Sequence, residues 1–347
     1  MKKNHWKTAV SSLLTLALLA GLIYFIFRDD YAAILQNIRS VSLWALAALL
    51  LGGTSTALLD AVITLLLVRR RKADFRYSSA LAVVYIGVFG NTATVAVGSM
   101  PMQSLYLHHY GVQAGRSLSI MALQYIFLKC TVLLYATLML LLQGRWLLAA
   151  RSDLARYILM GYGVFALVIL AMVLVCTWDK LLHLAQAALR RLPDTPKWAA
   201  RKRSWSENLE SLYAESQSIL RDRKCLAEVL AVYLLRFFCL YSLPWFCLRM
   251  LGVDSLSFAQ VQLLGALMYL ITGALPNVAG MGPAEFAFLL LFSASMSSAQ
   301  VSSALVLFRT ATFFFPFLVS AVVFFFVQKR LVRDKSEDKV RQDADQP

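Results

Sequence analysis

The chain has 347 residues, 59% of them hydrophobic and only 15% charged, with a net charge of +15. Soluble domains carry roughly 45–50% apolar and about 25% charged residues, so this composition excludes a water-soluble enzyme and a disordered chain alike. The 34 Lys+Arg sit in short polar segments between apolar runs, which points to loops beside an anionic leaflet and away from nucleic acid.

A bilayer core of roughly 30 Å needs about 20 helical residues. Six runs are long enough: residues 8–27, 41–68, 117–142, 157–178, 225–248 and 301–327. The first follows a basic start at 1–7 and lacks a small-residue cleavage site, so it reads as a retained signal anchor. Two further segments are apolar but broken. One covers 77–97 and runs into Gly98-Ser-Met-Pro101. The other covers 258–275, then Pro276-Asn-Val-Ala-Gly-Met-Gly-Pro283, then 284–292.

Charge decides the topology. The N-terminus, Arg69-Arg-Arg-Lys72, the 179–224 loop with its ten Lys/Arg and the 329–347 tail are the basic segments. All four share the cytoplasmic side only if an even number of crossings separates each pair. Eight full crossings violate this. Six crossing helices plus two re-entrant hairpins satisfy it, at the cost of leaving the mildly basic 143–156 outside. The expected fold is therefore an all-α integral membrane protein, a polytopic helical bundle with two broken re-entrant hairpins. It forms one transmembrane domain over 1–328, in halves of about 8–142 and 157–328, with a cytoplasmic amphipathic loop at 179–224 and a tail at 329–347.

The two broken segments share Gly-x-x-Pro-x-(Gln/Glu), as Gly98…Pro101…Gln103 and Gly280…Pro283…Glu285. A basic residue follows each proline, Lys129 after 28 residues and Arg309 after 26. With three crossings between the hairpins, the halves run in opposite directions. Inverted repeats with helices broken at the midplane characterise many transporters. Proline fits the first turn of a helix and glycine permits a reversal before it. The product is a helix N-terminus within the membrane, which favours anions and phosphate in particular.

Asp60, Lys129, Arg236, Glu285 and Arg309 are ionisable residues inside apolar runs, where a charge needs a partner or water. Arg309, Lys129 and Arg236 suit a lipid phosphate. Glu285 has three possible roles: capping its own helix, pairing with Arg309 in the empty site, or meeting an amine headgroup. Asp60, after Gly52-Gly-Thr-Ser-Thr56, suits close helix contact. His108-His109 point about 100° apart and read as interfacial residues, not metal ligands. The five cysteines show no CxxC spacing. No cofactor motif, P-loop or catalytic triad pattern occurs. Within the loop, 181–189 reads as a surface helix. Ser204-Trp-Ser-Glu207 reads as a capping box opening a second one, with Arg201-Lys-Arg203 favouring anionic lipid.

At Leu275-Pro-Asn-Val-Ala-Gly-Met-Gly-Pro-Ala-Glu285 the sequence resembles the transmembrane, flippase-like domain of lysylphosphatidylglycerol synthases, with Pro276, Gly280, Gly282 and Glu285 at the motif positions. Gly98–Gly111 is similar to the family's earlier motif but carries Gln103 and no arginine close behind. The resemblance implies a prokaryotic inner-membrane protein that moves a phospholipid or lipid-linked molecule between leaflets. It also implies a stand-alone member without the aminoacyltransferase domain, so a transporter and not an enzyme. The substrate-binding set would be Arg309, Glu285, Gly280, Gly282, Pro283, Lys129, Gly98, Pro101, Gln103 and Arg236. Expected partners are the substrate lipid and anionic lipid at the cytoplasmic surface, with a homo-oligomer or a separate synthase left open. The rival readings are a membrane-embedded enzyme, or a partner of one, acting on lipid or polyprenyl headgroups.

Overall fold

The computed structural model describes residues 31–93, 98–150, 152–190, 196–274 and 282–344, and every regular element among them is helical. In chain order these are α1 (Tyr31–Arg39), α2 (Leu43–Arg69), α3 (Tyr77–Ala93), α4 (Ser99–His109), α5 (Ala114–Ala150) and α6 (Ser152–Thr177). Next come α7 (Asp179–Arg190), α8 (Pro196–Arg221), α9 (Arg223–Met250), α10 (Phe258–Ala274), α11 (Pro283–Phe292), α12 (Ser298–Arg309) and α13 (Phe315–Ala344). Five helices are long and apolar enough to span a membrane: α2, α5, α6, α9 and the continuous α12–α13. They match five of the six expected crossings. The sixth, 8–27, lies outside the described residues.

Burial follows the order expected in lipid. Large side chains of α9 (Tyr233, Phe237, Tyr241) and α11 (Phe288, Phe292) are fully buried. Leu167 on α6 and Phe325 on α13 are instead 69% and 75% exposed. Apolar surface on this scale marks contact with hydrocarbon. The chain is an integral membrane protein.

Side-chain contacts fix which helix ends share a face. Arg71, just past α2, makes a two-pronged bond to Glu215 of α8, with Nε–Oε1 and Nη2–Oε2 both 3.0 Å. Arg70 pairs with Asp222 at the start of α9. Gln217 Nε2 donates to the Thr177 carbonyl at the end of α6, and Ser119 near the start of α5 bonds Ser211 of α8. These ends form one face, here called the basic face. The Cys225 backbone N–H, and then the Arg70 guanidinium, hold the Asp222 carboxyl below the ordinary carboxylate range.

Hairpin α3–α4 starts and ends on that face. Lys72 Nζ, ahead of α3, donates to the Tyr110 carbonyl just past α4 at 2.7 Å. Phe75 meets Tyr110 edge-on, with ring centroids 6.1 Å apart. The hairpin is re-entrant. Hairpin α10–α11 belongs to the opposite face: α9 starts at the basic face and delivers the chain to α10 across the bundle. On leaving α11 the chain enters α12, where Ser303 accepts a hydrogen bond from Asn37 of α1, the short helix before the far end of α2. The two hairpins therefore dip in from opposite faces.

Helix contacts repeat reciprocally. The spans preceding the hairpins, α2 and α9, pack on each other. The span after the first hairpin, α5, packs on α10 of the second, and α13, after the second, packs on α3 of the first. This exchange is what an inverted repeat produces.

Three expectations need correction. Residues 143–150 continue α5 and are not a loop, because Gly144 is a single weak breaker costing only about 1 kcal/mol. The second loop helix starts at Pro196 and not at Ser204, since proline suits a first helical position. Ser204 is thus interior, and Glu207 accepts from Arg203 at 2.9 Å instead of capping. Finally, the last span is interrupted by a π-turn at Thr310–Phe314.

Single cysteines at Asp74 and Gln113, in a background lacking the native cysteines, should react with an impermeant maleimide from one side of the membrane. Those at Ser255 and Ser298 should react from the other. Labelling of positions 74 and 113 from opposite sides would mean that the first hairpin crosses fully.

Candidate functional site

At the break of the second hairpin, α11 opens with Gly282 as N-cap and Pro283 at the first helical position. Gly282 has φ +97°, a left-handed conformation that glycine adopts without strain. Three residues on, Glu285 turns back, and its Oε2 accepts the Gly282 N–H at 2.7 Å. The other oxygen, Oε1, lies 2.6 Å from Arg309 Nε on α12. The two side chains are only 8% and 10% exposed. Capping and ion pairing, posed as alternatives for Glu285 by the sequence, are made by the same carboxylate at once. Arg309 is the last of twelve α12 residues, so it lies about 16 Å in from the opposite face. The π-turn that follows lays the Phe313 ring 4.4 Å from the guanidinium carbon, a cation–π contact.

A second buried pair joins the two repeat halves. Arg236 Nε on α9 meets Asp60 Oδ1 on α2 at 2.6 Å. Tyr269 of α10 packs against α9, its ring centroid 6.5 Å from that of Phe237 and 5.4 Å from that of Tyr241. One turn further along α10, a Cβ on Gly273 would stand 3.0 Å from Lys129 Nζ. The Lys129 ammonium therefore lies beside the C-terminal end of α10, the favourable end of a helix dipole for a cation. It also sits over the Tyr125 and Phe165 rings, at 5.2 and 5.5 Å from their centroids.

Arg309, Glu285, Gly282, Pro283 and Lys129 of the sequence-derived set thus lie at hairpin α10–α11 or against it, whereas Arg236 is engaged by Asp60 of α2. Gly280 and Pro276 lie outside the described residues. Gly98, Pro101 and Gln103 belong to hairpin α3–α4 and form a different kind of break. Gly98 has φ −86°, a right-handed conformation, and caps α4 without any side-chain hydrogen bond. The reversal expected of it therefore needs no left-handed glycine there. Pro101 is exposed in the first turn of α4. Gln103 lies across Gly87 of α3, where a Cβ would come within 2.3 Å of its amide nitrogen. Gly90 similarly faces Met102 and the Gly98 carbonyl. Two glycines one turn apart let the arms of this hairpin touch, as small residues do in membrane helices.

Sequence reasoning missed Tyr269, which no pattern distinguishes from other aromatics. It also missed the partner of Gly53. A Cβ there would fall 2.1 Å from the Ala311 carbonyl oxygen in the π-turn, so α2 and the segment carrying Arg309 touch backbone to backbone. The Gly52-Gly-Thr-Ser-Thr56 stretch was the available signal.

Removing one member of a buried ion pair typically costs about 3–5 kcal/mol, because the other charge is stranded. Glu285→Ala and Arg309→Ala should each destabilise on that scale in detergent unfolding. The double replacement, Glu285→Ala with Arg309→Ala, should cost less than the two single ones added together; strict additivity would show that the groups do not interact. Gly53→Ala should destabilise by about 1–3 kcal/mol, as overpacked sites do, and unchanged unfolding would refute the close approach.

A comparison with curated proteins finds no match. A family model described as the lysylphosphatidylglycerol synthase TM region matches residues 12–320, nearly the whole chain. The buried ion pair at a broken helix therefore sits within a recognised kind of membrane domain, and the chain belongs to the lysylphosphatidylglycerol synthase TM-region family, whose function is tied to membrane lipid.

Proposed function

We propose that this protein is a lipid flippase, moving a phospholipid or another anionic lipid-linked molecule between leaflets with its headgroup at hairpin α10–α11. One observation carries the reading. The Glu285 carboxylate occupies the position an anionic headgroup would take, against both the N-terminus of α11 and the Arg309 guanidinium. It acts as a built-in stand-in for the ligand. A phosphate supplies the same acceptors with more charge and can exchange for it, since helix N-termini and guanidinium groups both favour phosphate. Lys129, about one turn of α10 away from Tyr269, would hold a second phosphate oxygen.

The acyl chains stay in the bilayer while the headgroup passes between opposed hairpins. Glu285, once displaced, loses both of its partners at membrane depth, where an unpaired charge is costly. This makes it the coupling group for a proton-linked cycle; a downhill cycle needs no coupling. Four of the charged groups described at this depth form two ion pairs, Arg236–Asp60 and Arg309–Glu285, rather than a nucleophile with a base, which favours transport over catalysis. By the distribution of Lys and Arg the basic face is cytoplasmic, with both termini on that side; the family resemblance implies a prokaryotic inner membrane.

The rival reading is a recruiter of a separate synthase through the 179–224 loop. Deleting part of α8 would not separate the two, because Arg71 relies on Glu215 there. Charge reversal at the exposed Glu207 and Glu210 leaves that latch intact and is the cleaner probe.

In proteoliposomes, headgroup-labelled anionic phospholipid should cross the bilayer with the intact protein and fall to the protein-free rate with Arg309→Ala, while Arg309→Lys keeps part of the activity. Wild-type movement in Arg309→Ala would overturn the site assignment. No movement by the intact protein, together with loss of binding to a separate synthase on reversing Glu207 and Glu210, would favour recruitment.

A further inference from the structure

A second feature lies on the basic face, away from the ion pairs. The amphipathic helices α7 and α8 lie against α5 and the first turn of α4 without closing onto them. Between them is a groove of about 380 Å³, lined by Met100, Leu118, Ala122, Leu189, Trp205 and Leu209 among others. That volume falls in the range of pockets that enclose a small molecule, about 300–1,000 Å³.

Its chemistry selects an apolar occupant. Of the polar residues on the wall, Ser119 has its hydroxyl bonded to the Gly115 carbonyl and to Ser211. The other is the Asn208 amide. The remaining walls are aliphatic, with the indole of Trp205 44% exposed at one side. A polar ligand would lose its water here for little return.

Charge indicates which apolar molecule. The groove-facing residues of α8 follow a helical register, Trp205, Leu209 and Leu212, and the same stripe continues one turn back to Lys202. Lys202 is half-buried. By register Lys202 stands one turn before Trp205 on this stripe, and tryptophan next to lysine on a membrane surface matches the boundary between an acyl chain and its phosphate. The groove also reaches Met100, two residues past Gly98 at the break of the first hairpin.

We propose that this groove seats one acyl chain of an anionic phospholipid from the basic-face leaflet, with the phosphate held by Lys202. The bound chain then lies between the amphipathic pair and hairpin α3–α4. The inference stands apart from the transport reading, because it concerns a resident lipid and its test measures no transport.

The test uses the full chain in nanodiscs of mixed phosphatidylglycerol and phosphatidylcholine, with a photoreactive diazirine in the acyl chain of one lipid at a time. Phosphatidylglycerol should label peptides covering 118–122 and 205–212 well above the lipid-facing surface of α6. Ala122→Trp, which fills the groove, should reduce that labelling several-fold without lowering the unfolding temperature. Leu118→Trp serves the same purpose if Ala122→Trp fails to fold. Lys202→Gln should abolish the preference for phosphatidylglycerol while chain labelling persists. In the reverse direction, a photoreactive residue at Leu209 should capture phospholipid. Even labelling around the whole bundle, labelling indifferent to the filled groove, or equal labelling by both lipids in the wild type would overturn the proposal. So would capture by position 209 of residues 1–30 or of a second copy of the chain.

Discussion

A helix end in hydrocarbon cannot be left bare. The first backbone N–H groups of any helix lack partners within it, and no water is present at the bilayer centre to supply them. This chain places two helix starts at that depth, at Gly98 and at Gly282, and the surrounding structure reflects how each is accommodated. At Gly282 the answer is electrostatic. The Glu285 carboxylate covers an N–H group, and its own charge is then balanced by Arg309. Holding Arg309 at this point requires α12 to approach α2, which is where Gly53 meets the Ala311 carbonyl and where the helix expands into a π-turn. Local expansions of this kind often mark functional positions. One capping bond thus reaches through four elements.

At Gly98 the answer is steric. The arms of α3–α4 are drawn together at Gly87 and Gly90, so the start of α4 is shielded by its own partner arm. Gln103, the counterpart of Glu285, carries no charge and makes no cap. It fills the contact that the glycines open. The hairpin is also tied at its base, through Lys72 and Tyr110, and by way of Arg70 and Arg71 to the surface helix α8. Those arginines were read from sequence as marking a cytoplasmic loop beside an anionic leaflet. The structure directs them instead to Asp222 and Glu215. A run of basic residues reports which side of a membrane a loop occupies, but it carries no information about which carboxylates the tertiary fold will bring to it.

The same distinction separates what was legible in the sequence from what was not. Spans, breaks and the reciprocal order of the halves rest on local patterns: 20-residue apolar runs, proline after glycine, and basic segments on one side. These were readable because each depends on a stretch of chain shorter than a helix. The Glu285–Arg309 pair was foreseeable for a related reason, since both residues are costly alone and lie within one repeat half. The Arg236–Asp60 pair joins residues far apart in the chain, and nothing in their spacing announces it. Tyr269 is invisible to any pattern, because its place in the core is set by Phe237 and Tyr241 of a different helix. The start of α8 was misjudged because two competing start signals, Pro196 and the Ser204 box, lay eight residues apart and a continuous helix needs only the first.

The two hairpins are therefore alike in shape and unlike in what holds them. The contact at Gly87 is made of backbone and a neutral amide, and no ligand or proton can substitute for it. The contact at Glu285 is made of opposite charges, and any anion of suitable size competes for the same guanidinium and the same N–H. A ligand shifts a conformational equilibrium only by the difference between its affinities for the two states. Only the second hairpin offers a contact whose loss an anionic headgroup would compensate directly. On the proposed transport reading the exchangeable contact is confined to α10–α11, so the first hairpin would serve as the fixed reference against which the second opens, and the asymmetry between Gln103 and Glu285 would give the pair of hairpins distinct roles.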